Sequence, residues 1–345
     1  MGRRDSMECL DRALLVKSLA SRVKVGEPTA FRGLTVWPLL GDASVEPGYL
    51  TLDEALQRGV AQVTEVSASG SVPELKFANS AEMPVFLMDG EELVGAKQNR
   101  VLNLSILAPA GKTIVIPVSC VEAGRWRQTS AAFQSSPRAH FATGRAKRNA
   151  SVTEARQDRG SSQSDQGEVW SDIAQMADRL SVDAPTHAMA DAFEQHAPAI
   201  EDFVRAFAPV EGQVGAAFAV GGHTSGMDLF DCPVTLAKML PKLVRSYALD
   251  VLAADPASKP PSGTGAARLL QAVSDATVSV HGAAGEGEDL RFAAPRLAGG
   301  ALVAWGRIVH LAAFRVSPGD QEAGPVSTTL ASPASRRRNR GLIVY

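Results

Sequence analysis

Apolar and polar positions alternate with period two through much of the first 120 residues, and turn residues break the alternation at short intervals. After a leading helix or arm over Leu10–Leu19, the segments Leu34–Leu40, Ala61–Val66 and Glu74–Ala78 read as strands. Leu52–Gly59 lies between them as a brief helix ended by its glycine. Asp89-Gly90 sits between Val85–Met88 and Leu93-Val94, the composition of a two-residue hairpin turn in which both central positions need φ > 0. Lys97-Gln-Asn-Arg100 interrupts the pattern again, Val101–Leu107 resumes it, Pro109-Ala-Gly111 makes a third turn, and Thr113–Val118 reads as a further strand. These segments predict an antiparallel meander.

Beyond Asp165 the period becomes helical. Asp165, with Glu168 three residues on, fits an N-cap ahead of Val169, Ile173, Met176, Ala177 and Leu180. Thr186–Gln195 and Ala199–Phe207 continue the pattern between Pro185, Pro198 and Pro209. Val214–Gly222 and Gly226–Phe230 return to strands around a glycine-rich turn, Pro233 opens a long helix reaching Val251, and Ala266–Ala276 is another. Thr277–His281, Leu290–Ala294 and Ala301–Val316 close the chain as strands, the last a hairpin about Gly306-Arg307. The expected class is therefore α+β: a mainly antiparallel β-sheet, as a sandwich or a partly closed barrel, with an inserted helical subdomain and a flexible C-terminal tail. The expected division is a β-rich part over 1–133, a basic flexible segment or lid over 134–166, helices returning to strands on the same core over 167–316, and a tail over 317–345. The middle segment carries Arg138, His140, Arg145, Lys147, Arg148, Arg156 and Arg159 among Ser, Gln, Asn and Gly, with almost no apolar periodicity.

Composition narrows the function classes. A formal net charge of -2 over 345 residues, with pI near 6.3, gives no global field for nucleic acid or a membrane surface, so attraction to anions must be local. Nucleic-acid binding through Arg138–Arg159 lacks any recognised module. Cys9, Cys120 and Cys232 are far apart with no C-x-x-C, which argues for reduced thiols in a cytoplasmic protein. The six histidines include no H-x-x-x-H pair, and no metal is expected. No cofactor can be read from the sequence, and no apolar stretch is long enough to predict a membrane span.

Strand direction decides which polar groups can meet. If Glu91–Ala96 runs down, Val101–Leu107 runs up and Thr113–Val118 runs down again, and the chain after Val118 lands beside the turn at Lys97–Arg100. Ser119, Cys120, Glu122 and Arg125 then gather around Lys97, Gln98, Asn99 and Arg100, and Lys97, Gln98, Asn99, Arg100, Glu122 and Arg125 converge on one concave site. Glu91 and Glu92 point to opposite faces at the other end of the strand, roughly 20 Å away, and make a poor general acid/base couple. In this cluster Lys97, Arg100 and Arg125 suit phosphate, Gln98 and Asn99 suit ribose hydroxyls, and Trp126 or Trp170 could stack on a base. Glu122 is the candidate general base, and Cys120 the candidate nucleophile if neighbouring cations lower its pKa. The competing reading is a set of polar heads that cap strand ends in water.

The runs Asp89-Gly-Glu-Glu-Leu-Val-Gly-Ala-Lys-Gln-Asn-Arg100, Ser119-Cys-Val-Glu-Ala-Gly-Arg-Trp126, Asp165-Gln-Gly-Glu-Val-Trp170 and Val214–Gly222 with Asp228-Leu-Phe230 resemble the prokaryotic ARG and rhodanese-phosphatase-superfamily-associated proteins. The resemblance spans about residues 30 to 316. It implies a cytoplasmic protein that accompanies an ADP-ribosylglycohydrolase or phosphatase partner and acts in NAD or ADP-ribose metabolism, with a nucleotide-derived small molecule as ligand. It assigns no catalytic residue. Two readings follow: an enzyme that processes such a nucleotide, or a non-catalytic ligand-sensing or adaptor module for partner enzymes.

Overall fold

The computed structural model describes residues 3–41, 46–67, 69–254 and 263–316, with side chains from Cys9 onward. In chain order these residues form α1 (Arg3–Arg22), β1 (Lys24–Val25), β2 (Thr29–Phe31), β3 (Leu34–Leu40), β4 (Leu50–Thr51), α2 (Leu52–Gln57), β5 (Ala61–Glu65), β6 (Glu74–Asn79), β7 (Val85–Leu87), β8 (Glu91–Gly95), β9 (Arg100–Leu102), β10 (Ile106–Ala108), β11 (Thr113–Cys120) and β12 (Phe133–Ala139). There follow α3 (Ala142–Arg159), α4 (Gln166–Leu180), α5 (Met189–Gln195), α6 (Ala197–Ala206), β13 (Gln213–Val220), β14 (His223–Phe230), α7 (Pro233–Ala253), α8 (Gly265–Ser274), β15 (Thr277–Gly282), β16 (Glu288–Ala293), β17 (Leu297–Ala304) and β18 (Arg307–Arg315).

The class is α+β, with antiparallel sheets, and of the two arrangements the pattern left open the barrel is the one that forms. Six of them close a barrel in the order β11-β6-β5-β12-β8-β9. One side of each strand fills it, with Val63, Leu75, Phe77, Leu93, Leu102, Ile116, Val118 and Phe133 packed in the lumen. A second, nine-stranded sheet runs β1-β3-β13-β14-β18-β17-β16-β15, with β2 paired to β3. Its strands alternate between two covered faces. Leu34 and Val36 of β3 join the core that holds α7, through Leu236, Leu243 and Tyr247. Trp37 and Leu39 of the same strand face α1 and α8, through Val16, Leu269 and Val273. Burial on both faces explains why β13 and β17 read as continuous apolar runs rather than as alternation. The two bodies meet at a short sheet, β10-β7-β4.

Two expectations are corrected. Asp89-Gly90 does form a turn, with Gly90 at φ 84, but it does not join β7 and β8 in a hairpin. β7 pairs with β10 and β4, whereas β8 pairs with β9 and β12, so the turn carries the chain from the short sheet into the barrel. The cause is electrostatic. Asp89 is buried and accepts hydrogen bonds from Arg145, Arg148 and Asn149, which fixes the turn inside the protein. The same contacts overturn the flexible segment at 134–166. It forms β12 and α3, because Arg145 and Arg148, at 0 % and 1 % exposed, are interior ion-pair partners and not solvated charges. The helices after Asp165 fall where expected, and Asp165 caps α4 by accepting from the backbone N–H of Glu168 at 3.0 Å. The tail expected at 317–345 lies outside the described residues.

Candidate functional site

The β8–β9 turn and the end of β11 build one polar cluster. Across β8, β9 and β11 the register aligns Leu93, Arg100 and Cys120 in one row. Directly opposed residues in an antiparallel pair share a face, and Leu93 lies in the lumen, so Arg100 and Cys120 face into one end of the barrel. The turn between β8 and β9 requires left-handed backbone at Gly95, φ 129, and at Ala96, φ 40. At Gly95 a side chain would also strike Ser130 Oγ at 2.6 Å, so only glycine lets the 128–132 segment pass so close.

Gln98, Asn99, Arg100, Cys120, Glu122 and Arg125 do come together there. Gln98 Nε2 donates to the Glu122 carbonyl at 2.8 Å, and Gln98 Oε1 accepts from Cys120 Sγ at 3.2 Å and from Arg100 Nη1 at 3.2 Å. Arg125 grips Glu122 side-on, Nε to Oε1 at 2.8 Å and Nη2 to Oε2 at 2.6 Å, while its Nη2 also reaches Asn99 Oδ1 at 3.1 Å. Glu122 further accepts from the Asn99 backbone N–H at 3.1 Å and from Thr186 Oγ1 at 3.1 Å, so both carboxylate oxygens are fully engaged. Gln166 of α4 clamps the Cys120 backbone, accepting from its N–H and donating to its carbonyl, each at 2.8 Å. Burial raises the Cys120 thiol above its ordinary pKa, although Arg100 pulls the other way. Lys97 Nζ and the Arg100 guanidinium lie 5.3 and 5.9 Å from the ring centre of exposed Trp126. Glu91 and Glu92 are held elsewhere, by Lys242 and Arg138. The expected concave site is closed in this structure: Gln98, Asn99, Arg100 and Glu122 are all buried.

One group in the cluster is unsatisfied. Arg100 is 0 % exposed, and its Nε and Nη2 have no hydrogen-bond partner. Those two N–H groups lie parallel on one edge of the guanidinium, the edge that takes a carboxylate or phosphate with two bonds. Elsewhere in the chain the same edge is filled by Glu288 on Arg12, by Glu122 on Arg125 and by Asp289 on Arg291. Among the described residues Arg100 is the one arginine with this whole edge buried and open. Leaving two buried donors unpaired costs about 1–3 kcal/mol each. The indole N–H of Trp170, one turn along α4 from Gln166, faces the Cys120 thiol and works against the effect of burial on it.

A second polar cluster lies between barrel and sheet. Arg145 donates to Asp89 and Asp228, Arg148 to Asp89, His310 faces Asp228 at 3.2 Å, and Ser105 bonds the other side of the His310 ring at 2.7 Å. Burial alone would raise the Asp89 carboxyl, but Arg145 and Arg148 hold it well below the usual carboxylate range. One ligand atom each from Asp89, Asp228 and His310 lies within 4.8 Å of the others, a spacing that could hold a cation. Yet the two carboxylates already face two buried guanidiniums, so a divalent ion would add uncompensated charge to a neutral interior. The set fits an ion-pair network. Sequence reasoning missed it, although the signal was visible: Asp228 and His310 are polar residues inside otherwise apolar strands.

Near this cluster Asp250 of α7 accepts from the N–H and the hydroxyl of Thr143, and burial raises its pKa from 3.8 to about 6. A raised folded-state value means the folded protein holds this proton more tightly than the unfolded chain does. Stability is then greatest below about pH 4 and falls as pH climbs to about 6. Asp250→Asn removes that loss, and urea unfolding at pH 7.5 should find the variant more stable by about 2–3 kcal/mol. The gap should close near pH 4. A variant no more stable at pH 7.5 than at pH 4, each relative to wild type, contradicts the buried-carboxyl assignment.

No described helix is long and apolar enough to cross a membrane. Neither a curated protein nor a solved structure matches the chain. A family model does match, over residues 22–314, and it contains both the barrel with its Arg100 cluster and the nine-stranded sheet up to β18. On that match the chain belongs to the ARPP-1 family, the ARG and Rhodanese-Phosphatase-superfamily-associated Protein domain.

Proposed function

We propose that the protein binds an ADP-ribose-type nucleotide, such as NAD or ADP-ribose, at the Arg100 end of the barrel, as a ligand-sensing module for partner enzymes. The observation that carries this reading is the open Nε/Nη2 edge of buried Arg100. Two oxygens of a phosphate match that edge, and the paired bonds are charge-assisted. Gln98 holds Nη1 and so aims the edge, while Arg125 and Glu122 brace the loop that carries Trp126. Trp126 is half exposed and lies over the two cations, so it can swing aside to admit a ligand and stack on its base or ribose. Lys97 adds positive charge at the same mouth.

The geometry favours binding over turnover. Glu122 has donors on both oxygens and no free position from which to take a proton, and the Cys120 thiol is pushed up, away from thiolate. The family name, with its association with ARG and rhodanese-phosphatase-superfamily proteins, agrees with a role beside an ADP-ribosylglycohydrolase or phosphatase.

Calorimetric titration of ADP-ribose into the full-length protein tests the reading. Arg100→Lys keeps the charge but loses the paired edge, and it should weaken binding by about 1.5–3 kcal/mol, roughly 10- to 150-fold in Kd. Equal affinity in wild type and variant contradicts the assignment of the edge. Hydrolysis products accumulating during the titration would return the enzyme reading.

A further inference from the structure

A cleft of about 790 Å3 lies away from Arg100. Its walls bring together cations from five separate elements: Lys147 of α3, Arg179 in the last turn of α4, Arg268 of α8, Arg296 between β16 and β17, and Arg315 ending β18. Lys147 is paired with Asp172. Among the described residues the guanidiniums of Arg179, Arg268, Arg296 and Arg315 make no hydrogen bond or salt bridge, although Arg179 feels the charge of Asp250. The one carboxylate in the lining, Asp250, is occupied by Thr143. In a chain of net charge -2, whose other arginines mostly find acids, four guanidiniums around one hollow give it a local positive potential that attracts anions. α8 begins in the same wall at Gly265, which places the positive end of the helix at the hollow.

The volume lies within the range of small-molecule sites, and the concave shape suits a compact ligand better than an extended chain. We infer that this cleft is a second anion site, which takes a small molecule carrying two or more phosphate groups. It is separate from the Arg100 edge. Gln166 and Arg179 stand at opposite ends of α4, roughly 20 Å apart at 1.5 Å per residue.

Inorganic pyrophosphate is the probe, titrated by calorimetry into the full-length protein. Arg179 and Arg268 are exposed on helix surfaces, so Arg179→Gln with Arg268→Gln leaves the fold intact. The Arg100→Lys protein should retain saturable pyrophosphate binding, and adding the two glutamines should weaken it at least about 10-fold, while orthophosphate binds more weakly throughout. The doubly substituted protein with Arg100 intact should keep the ADP-ribose binding that Arg100→Lys weakens. No saturable pyrophosphate binding at millimolar concentration, or binding that the glutamines leave unchanged, overturns the inference. So does binding that disappears with Arg100→Lys alone, which would place the anion at the barrel end.

Discussion

Replacing Arg145 by methionine should lower the unfolding free energy by about 3–5 kcal/mol, the largest loss expected from any single change in this protein. Arg145 is 0 % exposed and donates to Asp228 through both terminal nitrogens, at 2.8 and 3.2 Å, and to Asp89 at 2.8 Å. Without it the two buried carboxylates keep Arg148 as their one guanidinium partner, with Asn149 and His310 beside them. The loss carries a pH signature. In wild type the folded-state value of Asp89 is depressed, so its contribution is present above the ordinary carboxylate range and fades as pH falls through it. Removing Arg145 removes most of that contribution, so the gap between wild type and variant should hold from pH 8 down to about pH 4 and narrow only below it. Adding Asp228→Asn should recover part of the loss, because it takes away a charge that no longer has its partner. Urea unfolding of the three proteins measures both effects. A loss below about 1 kcal/mol for the single variant would mean that the network is better solvated than its burial indicates.

Lys242→Met should cost nearly as much, about 3–5 kcal/mol at pH 8, at another interior carboxylate. Lys242 Nζ reaches Glu91 Oε1 at 2.6 Å and Asp53 Oδ1 at 2.8 Å, and Glu91 is 0 % exposed. Burial already raises the Glu91 carboxyl, against the pull of Lys242. Taking the ammonium away raises it further, so the folded variant gains a proton more readily than the unfolded chain, and its stability should climb as pH falls from 8 toward 5. Glu91→Gln in the same chain should restore stability at pH 8. Unfolding curves that run parallel for wild type and Lys242→Met across this range would contradict an uncompensated Glu91 charge.

The candidate site was legible because it depends on strand direction. Three antiparallel strands in sequence order must return Cys120 beside Arg100, and the register does so residue against residue. Glu91 and Glu92 could be set apart on the same ground, since neighbours on a strand face opposite ways. The interior ion network was not legible. α3 offers few apolar positions, so its pattern looks solvated, and the partners that bury Arg145 lie 56 and 83 residues away in sequence. Local periodicity records whether a side chain is apolar, and says nothing of whether a charge meets its opposite in the interior. The Asp89-Gly90 turn misled for the same reason: its φ > 0 glycine was read correctly, but the buried carboxylate decides where the chain goes next. Closure of the barrel, too, rests on pairing of β12 with both β5 and β8, across segments whose order no local signal fixes. Glu122 illustrates a further limit. Its reading as a base follows from its residue type, whereas its engagement follows from Arg125 and Thr186, one of them 64 residues on.

The central claim, that the open edge of Arg100 receives the ligand, is tested most directly by a crystal structure of the full-length protein with ADP-ribose. A phosphate of the nucleotide should lie with two oxygens about 2.7–3.0 Å from Nε and Nη2 of Arg100, with Trp126 moved against the base or ribose. A nucleotide bound elsewhere, with Nε and Nη2 still unpaired beneath an unmoved Trp126, would contradict it.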